Sequence, residues 1–191
     1  KAGYPDVPVI SINMVGLEKN PGFKMTPSLI QHGLYALEFG DIFLRCLYRV
    51  RPYELVPGSA NALHEKWKKK VIDFVGNTRI LSHRRYKQLC REIIRDFDNL
   101  PMTDEKKPRV GVVGEILVKF HPAANNYVVD LLEQEGAEAV VPDLTDFLLY
   151  CCYNANLKAD YLGESKKSQR MNNLLIKFFE WMRKDARDEL A

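Results

Sequence analysis

The chain has 191 residues, 46% hydrophobic and 28% charged, and 28 Lys and Arg against 25 Asp and Glu give a formal net charge of +3. That length supports a real core and argues for one domain, or one and a half, rather than two. The composition has no low-complexity tract and so excludes a disordered tail. The apolar runs at 139–141 and 147–152 fall far short of the roughly 18 residues a membrane span requires. The start, Lys1-Ala-Gly-Tyr-Pro, has neither the apolar centre of a signal peptide nor a cleavage site and reads as a segment cut from a longer chain.

Residues 8–13 (PVISIN) are short, β-branched and apolar, and they run into a turn-rich stretch at 16–23. This predicts a buried strand followed by a loop. Thr26 then caps a helix that ends before Arg51-Pro52. Pro27 suits its first position, and Ile30, Leu34, Leu37, Leu44 and Leu47 form its apolar stripe. Gly33 and Gly40 weaken that helix by about 1 kcal/mol each, which predicts close packing or a kink there. A second helix starts at Ser59 or Asn61 and runs to about Val75. A third spans about 82–97, with Tyr86, Leu89, Cys90, Ile93, Ile94 and Phe97 on one face. Residues 99–108, with two prolines and Lys106-Lys107, read as a surface connection.

At Arg109 the period changes. Residues 109–113 predict a buried strand, 114–121 a loop, 122–135 a helix and 138–141 a second strand, parallel to the first through a right-handed crossover. Asp143 or Thr145 caps a helix to about Tyr153. The polar stretch 154–163 separates it from a final helix at 168–189, whose buried face is Leu174, Leu175, Phe178, Trp181 and Met182. Three strands against six helices predict a helix-rich three-layer α/β/α fold with a short, mainly parallel sheet, as a fragment of a larger sheet domain. Its parts are a strand plus helices in 1–100, a β-α-β unit in 109–153 and a C-terminal helix in 165–190. Such a fragment is expected to expose an apolar patch on the sheet edge or the final helix.

Ligands of open α/β sheets bind outside the carboxyl ends of the strands, which directs attention to the loop after Val113. Gly114 permits close approach of the backbone, Glu115 offers a carboxylate, and the Pro122 helix would turn its free N–H groups toward the same crevice. His121, Asn125 and Asn126 add donors and acceptors, so these five residues form the candidate ligand site. The alternative for Glu115 and the asparagines is that they cap nearby N–H groups. Cys46, Cys90, Cys151 and Cys152 fit neither a disulfide framework nor zinc spacing, which favours a reducing cytoplasm. Adjacent helical residues project about 100° apart, so Cys151 and Cys152 cannot easily share one ion. His32, His64 and His83 have no metal spacing. Basic groups at 66–70 and at Arg84-Arg85 lack interleaved stacking aromatics, which argues against nucleic acid. Neither a G-x-S-x-G elbow nor a phosphate-binding loop occurs, and Gly111-Val-Val-Gly114 is a weak dinucleotide motif.

Several separated blocks resemble, in order, the activase-related proteins allied to 2-hydroxyacyl-CoA dehydratase subunits. They are residues 8–24 (PVISINMVGLEKNPGFK), 40–45 (GDIFLR), 51–54 (RPYE), 109–115 (RVGVVGE) and Asn125-Asn126. The resemblance implies an α/β/α module of a long polypeptide beside ATP-driven activator modules. In that wider family an electron passes through an iron–sulfur cluster to a dehydratase that removes water from a 2-hydroxyacyl-CoA. It implies neighbouring domains and an acyl-CoA dehydratase as partners, with [4Fe-4S] and ATP belonging to the parent protein and no cofactor in this segment. Asp143-Leu-Thr-Asp146 stands where the dehydratase subunits carry a cysteine, and no Pro-Phe-Gly-Cys segment is present. The segment alone is therefore expected to be non-catalytic. A dehydratase-like half-site completed by further sequence, or a small-ligand module using the crevice, are the alternatives.

Overall fold

A computed structural model describes residues 26–77, 80–163 and 166–190. The predicted strand at 8–13 and its loop lie outside the described residues. Helix α1 (Pro27–Val50) starts where Thr26 Oγ1 accepts the Leu29 N–H at 3.1 Å, with Pro27 in the first turn. Its buried face is Tyr35, Phe39, Ile42, Phe43, Cys46, Leu47 and Val50, whereas Leu34, Leu37 and Leu44 of the expected stripe are half-buried and Ile30 is exposed. The helix is rotated toward its aromatic side because large rings gain more from burial than leucines. Gly33 and Gly40 serve no close packing, since a Cβ at either would meet nothing within 4 Å.

Helices α2 (Ser59–Asn77) and α3 (His83–Asp98) pack on α1, and α3 buries all of its predicted face. Phe39 and Tyr86 meet edge to face at 5.2 Å, and Trp67, Leu89, Ile93 and Phe97 complete this core. Two polar ties close it: Trp67 Nε1 donates to Asp96 at 2.9 Å and Gln31 Nε2 donates to the Leu81 carbonyl at 3.2 Å.

Strands β1 (Arg109–Gly111) and β2 (Glu138–Val140) are parallel as predicted, with Arg109 beside Glu138 and Gly111 beside Val140. Among the described residues the sheet has these two strands. β1 is not buried: Val110 is 37% and Val113 80% exposed, and only Val112 turns inward against Val129 and Ala139. A parallel strand is normally covered on both faces, whereas all three residues of β1 are exposed.

The segment joining the strands departs from expectation twice. The predicted loop at 114–121 contains a short helix, α4 (Ile116–Phe120), and the predicted helix at 122–135 is broken. Pro122–Asn125 makes one 3-10 turn, Asn126 and Tyr127 take left-handed φ of 55°, and α5 spans only Val128–Gln134. Asn125 Oδ1 accepts the Val128 N–H, and asparagine tolerates the left-handed region, so local side-chain bonds outcompete the helix. α5 ends at Gly136, whose φ of 83° suits glycine, with Ala137 N donating to the Leu132 carbonyl at 2.8 Å.

Helix α6 (Leu144–Leu162) runs through the polar stretch expected to separate it from the last helix, and stops at Gly163. Its polar residues face α7 (Lys166–Leu190): Asn156 Nδ2 donates to Asn173 Oδ1 at 2.7 Å, and Gln169 donates to Asp160. Helix α7 buries Ile176, Phe179, Met182, Arg183 and Ala186. Of its predicted face only Met182 is buried; Leu174, Leu175, Phe178 and Trp181 are exposed. Two apolar faces share one helix, and contact with Leu149 of α6 selects the other. No described helix is long and apolar enough to cross a membrane.

Candidate functional site

Glu38, Asp41, Arg45 and Arg49 recur three or four residues apart along α1 and so share one side of it. This polar row meets the α/β unit and α6 at two junctions. At the first, Glu138 of β2 is 2% exposed yet receives four hydrogen bonds. Arg49 Nη1 donates to both of its carboxylate oxygens at 2.9 and 3.0 Å, Tyr53 Oη donates at 2.8 Å and Arg109 Nε at 3.0 Å. Burial opposes the charge, but the bonds from Tyr53 and Arg49 and the nearby Arg109 offset it, holding this carboxyl below its ordinary range.

The second junction is acidic. Asp41 accepts the Leu144 and Thr145 N–H groups at 2.8 and 2.9 Å, capping α6 from another helix, and Thr145 Oγ1 donates to Glu38 at 3.2 Å. Burial, then the neighbouring Asp41 carboxylate, pushes Glu38 up to about 7. Burial likewise raises Asp41. Arg45 donates to Asp143 at 2.5 Å and Arg183 to Asp146, so cations close the rim of this cluster.

The turn after α1 continues the pattern. Arg51 makes a two-pronged pair with Glu133 at 2.7 and 3.0 Å and reaches Asp130 at 3.0 Å, tying the turn to α5. Glu54 accepts the N–H groups of Gly58 and Ala60 at 2.6 and 2.7 Å and so caps α2 from outside. Asp41, Arg45, Arg51, Tyr53 and Glu54, the polar groups of the GDIFLR and RPYE blocks, all serve contacts between elements or a helix cap.

The five crevice residues lie within one short stretch, and the polar side chains among them with bonds use those bonds locally. Glu115 accepts the Leu117 N–H at 2.8 Å as the cap of α4, and His121 Nδ1 accepts the Ala124 N–H at 3.3 Å. Asn125 donates to the Val118 carbonyl at 2.8 Å. Asn126 is exposed at the left-handed break, and Gly114, at φ 130°, lets the chain turn beside Val118. The anion-attracting helix start expected at Pro122 is replaced by a single 3-10 turn. The stretch brings backbone caps together; a larger space lies elsewhere.

One such space is a cleft of about 390 Å³ between α1 and β2, lined by Arg45, Tyr48, Arg49, Arg109, Glu138 and Pro142. Arg49 and Arg109 are oriented by the same buried carboxylate yet remain 63% and 62% exposed. Two guanidinium groups against one carboxylate leave one net positive charge and spare N–H donors at the mouth, an arrangement that can hold a carboxylate or phosphate. The sequence signal for it was the charged row on α1 together with Arg109 and Glu138, which the strand register places side by side.

The thiols do not fit a cysteine-ligated cluster. Cys46 and Cys90 lie in the core of α1–α3, where burial pushes both up to about 12, and the neighbouring pair Cys151 and Cys152 differ in exposure and diverge on α6. Among the described residues, no three His, Cys, Asp or Glu side chains group as metal ligands. No family model, curated protein or solved structure matches the chain.

Proposed function

We propose that the chain is a non-catalytic α/β module of a longer, activase-related cytoplasmic polypeptide allied to the 2-hydroxyacyl-CoA dehydratases. In this reading it is a structural joint of a three-layer sheet domain, and ATP hydrolysis and the [4Fe-4S] chemistry belong to neighbouring modules and to the dehydratase partner. The observation that carries it is the use of the resembling blocks. Asp41, Arg45, Arg51, Tyr53 and Glu54 supply ion pairs and caps between elements, as expected of residues that set a framework. The uncovered β1 agrees with a sheet completed by further chain.

Anaerobic reconstitution with iron and sulfide, followed by iron analysis and EPR, tests this reading. The expected product is colourless and without stoichiometric iron. A brown protein with about four irons per chain would support the dehydratase-like half-site instead. Hydrogen exchange supplies a second test. The outward amides of Arg109, Gly111 and Val113 should exchange freely in this chain and slowly in the longer polypeptide.

The paired Arg49 and Arg109 favour one second reading, a small-ligand module that binds an anionic group in the α1–β2 cleft. Calorimetric titration with coenzyme A, which carries phosphates, tests it: binding lost in Arg109→Ala supports this reading, and no heat in the wild type removes it.

A further inference from the structure

Helix α7 has a second apolar face. Met171, Leu174, Phe178 and Trp181 follow the three-four-three spacing of a heptad seam and are all exposed, while Ile176, Phe179 and Ala186 on another side are buried. The seam is built rather than incidental. The Trp181 indole, 55% exposed, is stacked on His83 with ring centres 4.6 Å apart, and Phe178 lies 6.1 Å from Trp181. Exposed aromatic rings already fixed in place contribute contact area to a partner at little further cost in side-chain entropy.

The flank of the seam identifies the occupant. Arg170, Lys177 and Lys184 recur every seven residues along one side, the position whose charges select partners in paired helices. All three are exposed; Lys184 pairs only with the equally exposed Asp188, and Arg170 and Lys177 have no ion pair among the described residues. A second copy laid antiparallel would bring Lys177 against its own equivalent and Arg170 against Lys184, like charges throughout. A parallel copy would face the three cations with the apolar positions Leu175 and Met182, where they find no partner. A lipid surface is also less suited, because the seam spacing continues from Phe178 and Trp181 to Asp185 and Asp188, so the apolar face ends after Trp181 and is short for insertion among acyl chains.

We propose that the exposed seam of α7 docks an amphipathic helix of a partner protein, with leucine-like residues at its seam positions and acidic residues beside them. Hydrophobic burial holds the pair, and the basic row sets its orientation and excludes basic partners. This uses residues other than those of the joint proposed above, so either reading can fail without the other.

The test uses the whole chain and two synthetic three-heptad helices with leucine at both seam positions. One carries glutamate at the flanking positions and the other carries lysine. Titration is followed by calorimetry and by tryptophan fluorescence. The acidic peptide is expected to bind at least about tenfold more tightly than the basic one, with affinity falling as salt rises. Phe178→Glu should abolish binding, and Lys177→Glu should narrow the preference by about tenfold, both with unchanged thermal melting. Equal binding of the two peptides, or binding of neither, overturns the proposal. It is also overturned if Phe178 instead drives self-association in sedimentation velocity, or adsorption to phosphatidylcholine vesicles containing phosphatidylserine, without a preference for the acidic peptide.

Discussion

Helices α1, α2 and α3 close around Phe39, Ile42, Trp67, Tyr86, Ile93 and Phe97, whereas β1, α5 and β2 bury little more than Val112, Val129 and Ala139 among themselves. The α/β unit is instead fastened to α1 and its following turn by Glu138 and by the pairing of Arg51 with Glu133 and Asp130. Apolar burial resists salt and pH, while charged junctions respond to both. One side of α1 therefore supports a fixed core and another side supports joints whose strength can be tuned.

Mutation should separate the two regions. The largest effect is expected in the helical core, where Phe39→Ala removes a ring that is 1% exposed. It should cost about 3–5 kcal/mol in denaturant unfolding and destabilise the whole chain. Glu138→Ala should cost less, about 1–3 kcal/mol, because its two arginines can turn to water while Tyr53 loses its acceptor. Its signature is local: amides of β1, α5 and β2 should exchange faster while those of α3 do not. Equal acceleration in α3 would show that the regions form one cooperative unit.

The two charged junctions on α1 should answer pH with opposite signs. Glu138 is held below its ordinary range. Its contribution is thus complete above about pH 4.3 and lost as pH falls through its folded value. Glu38 is raised to about 7, so its contribution is complete below about pH 4.3 and lost as pH rises through 7. Glu38→Gln keeps an acceptor for Thr145 without the buried charge. It should raise stability at pH 8 by about 1–2 kcal/mol and leave it nearly unchanged at pH 5, as read from urea curves at both values. A loss at pH 8 would mean that Arg183 requires the carboxylate. The smallest effect is expected from Gly33→Ala, which fills open space on an exposed turn and should add about 0.5–1 kcal/mol.

Much of this architecture was legible in the sequence. The Thr26-Pro27 start of α1, the buried face of α3 and the parallel pairing of 109–111 with 138–140 follow from capping, helical period and the β-α-β pattern. Where the reading missed, a tertiary contact chose between equal local options. Helix α7 carries two apolar faces, and α6 decides which is covered. The asparagines and Asp160 near the end of α6 resemble a linker until Asn173 and Gln169 supply partners. The broken helix at Asn126 was hidden because Pro122 is a good helix start and the competing bond of Asn125 is local. The chemical types of the crevice residues are legible in the sequence, and so is the capping alternative for Glu115, the use the structure gives it. The α1–β2 cleft was not foreseen, because Arg49, Arg109 and Glu138 are far apart in sequence.

Native-state hydrogen exchange, resolved by residue at pH 7 and again near pH 3, well below the ordinary carboxylate value of about 4.3, is the most direct test of charged joints on a fixed core. Amides of β1, α5 and β2 should open at the lower pH through a partial unfolding that leaves Leu89, Ile93 and Phe97 of α3 protected, and Glu138→Gln should show that opening already at pH 7. If the α/β unit and α3 lose protection together at both pH values, apolar packing joins the regions and the account is wrong.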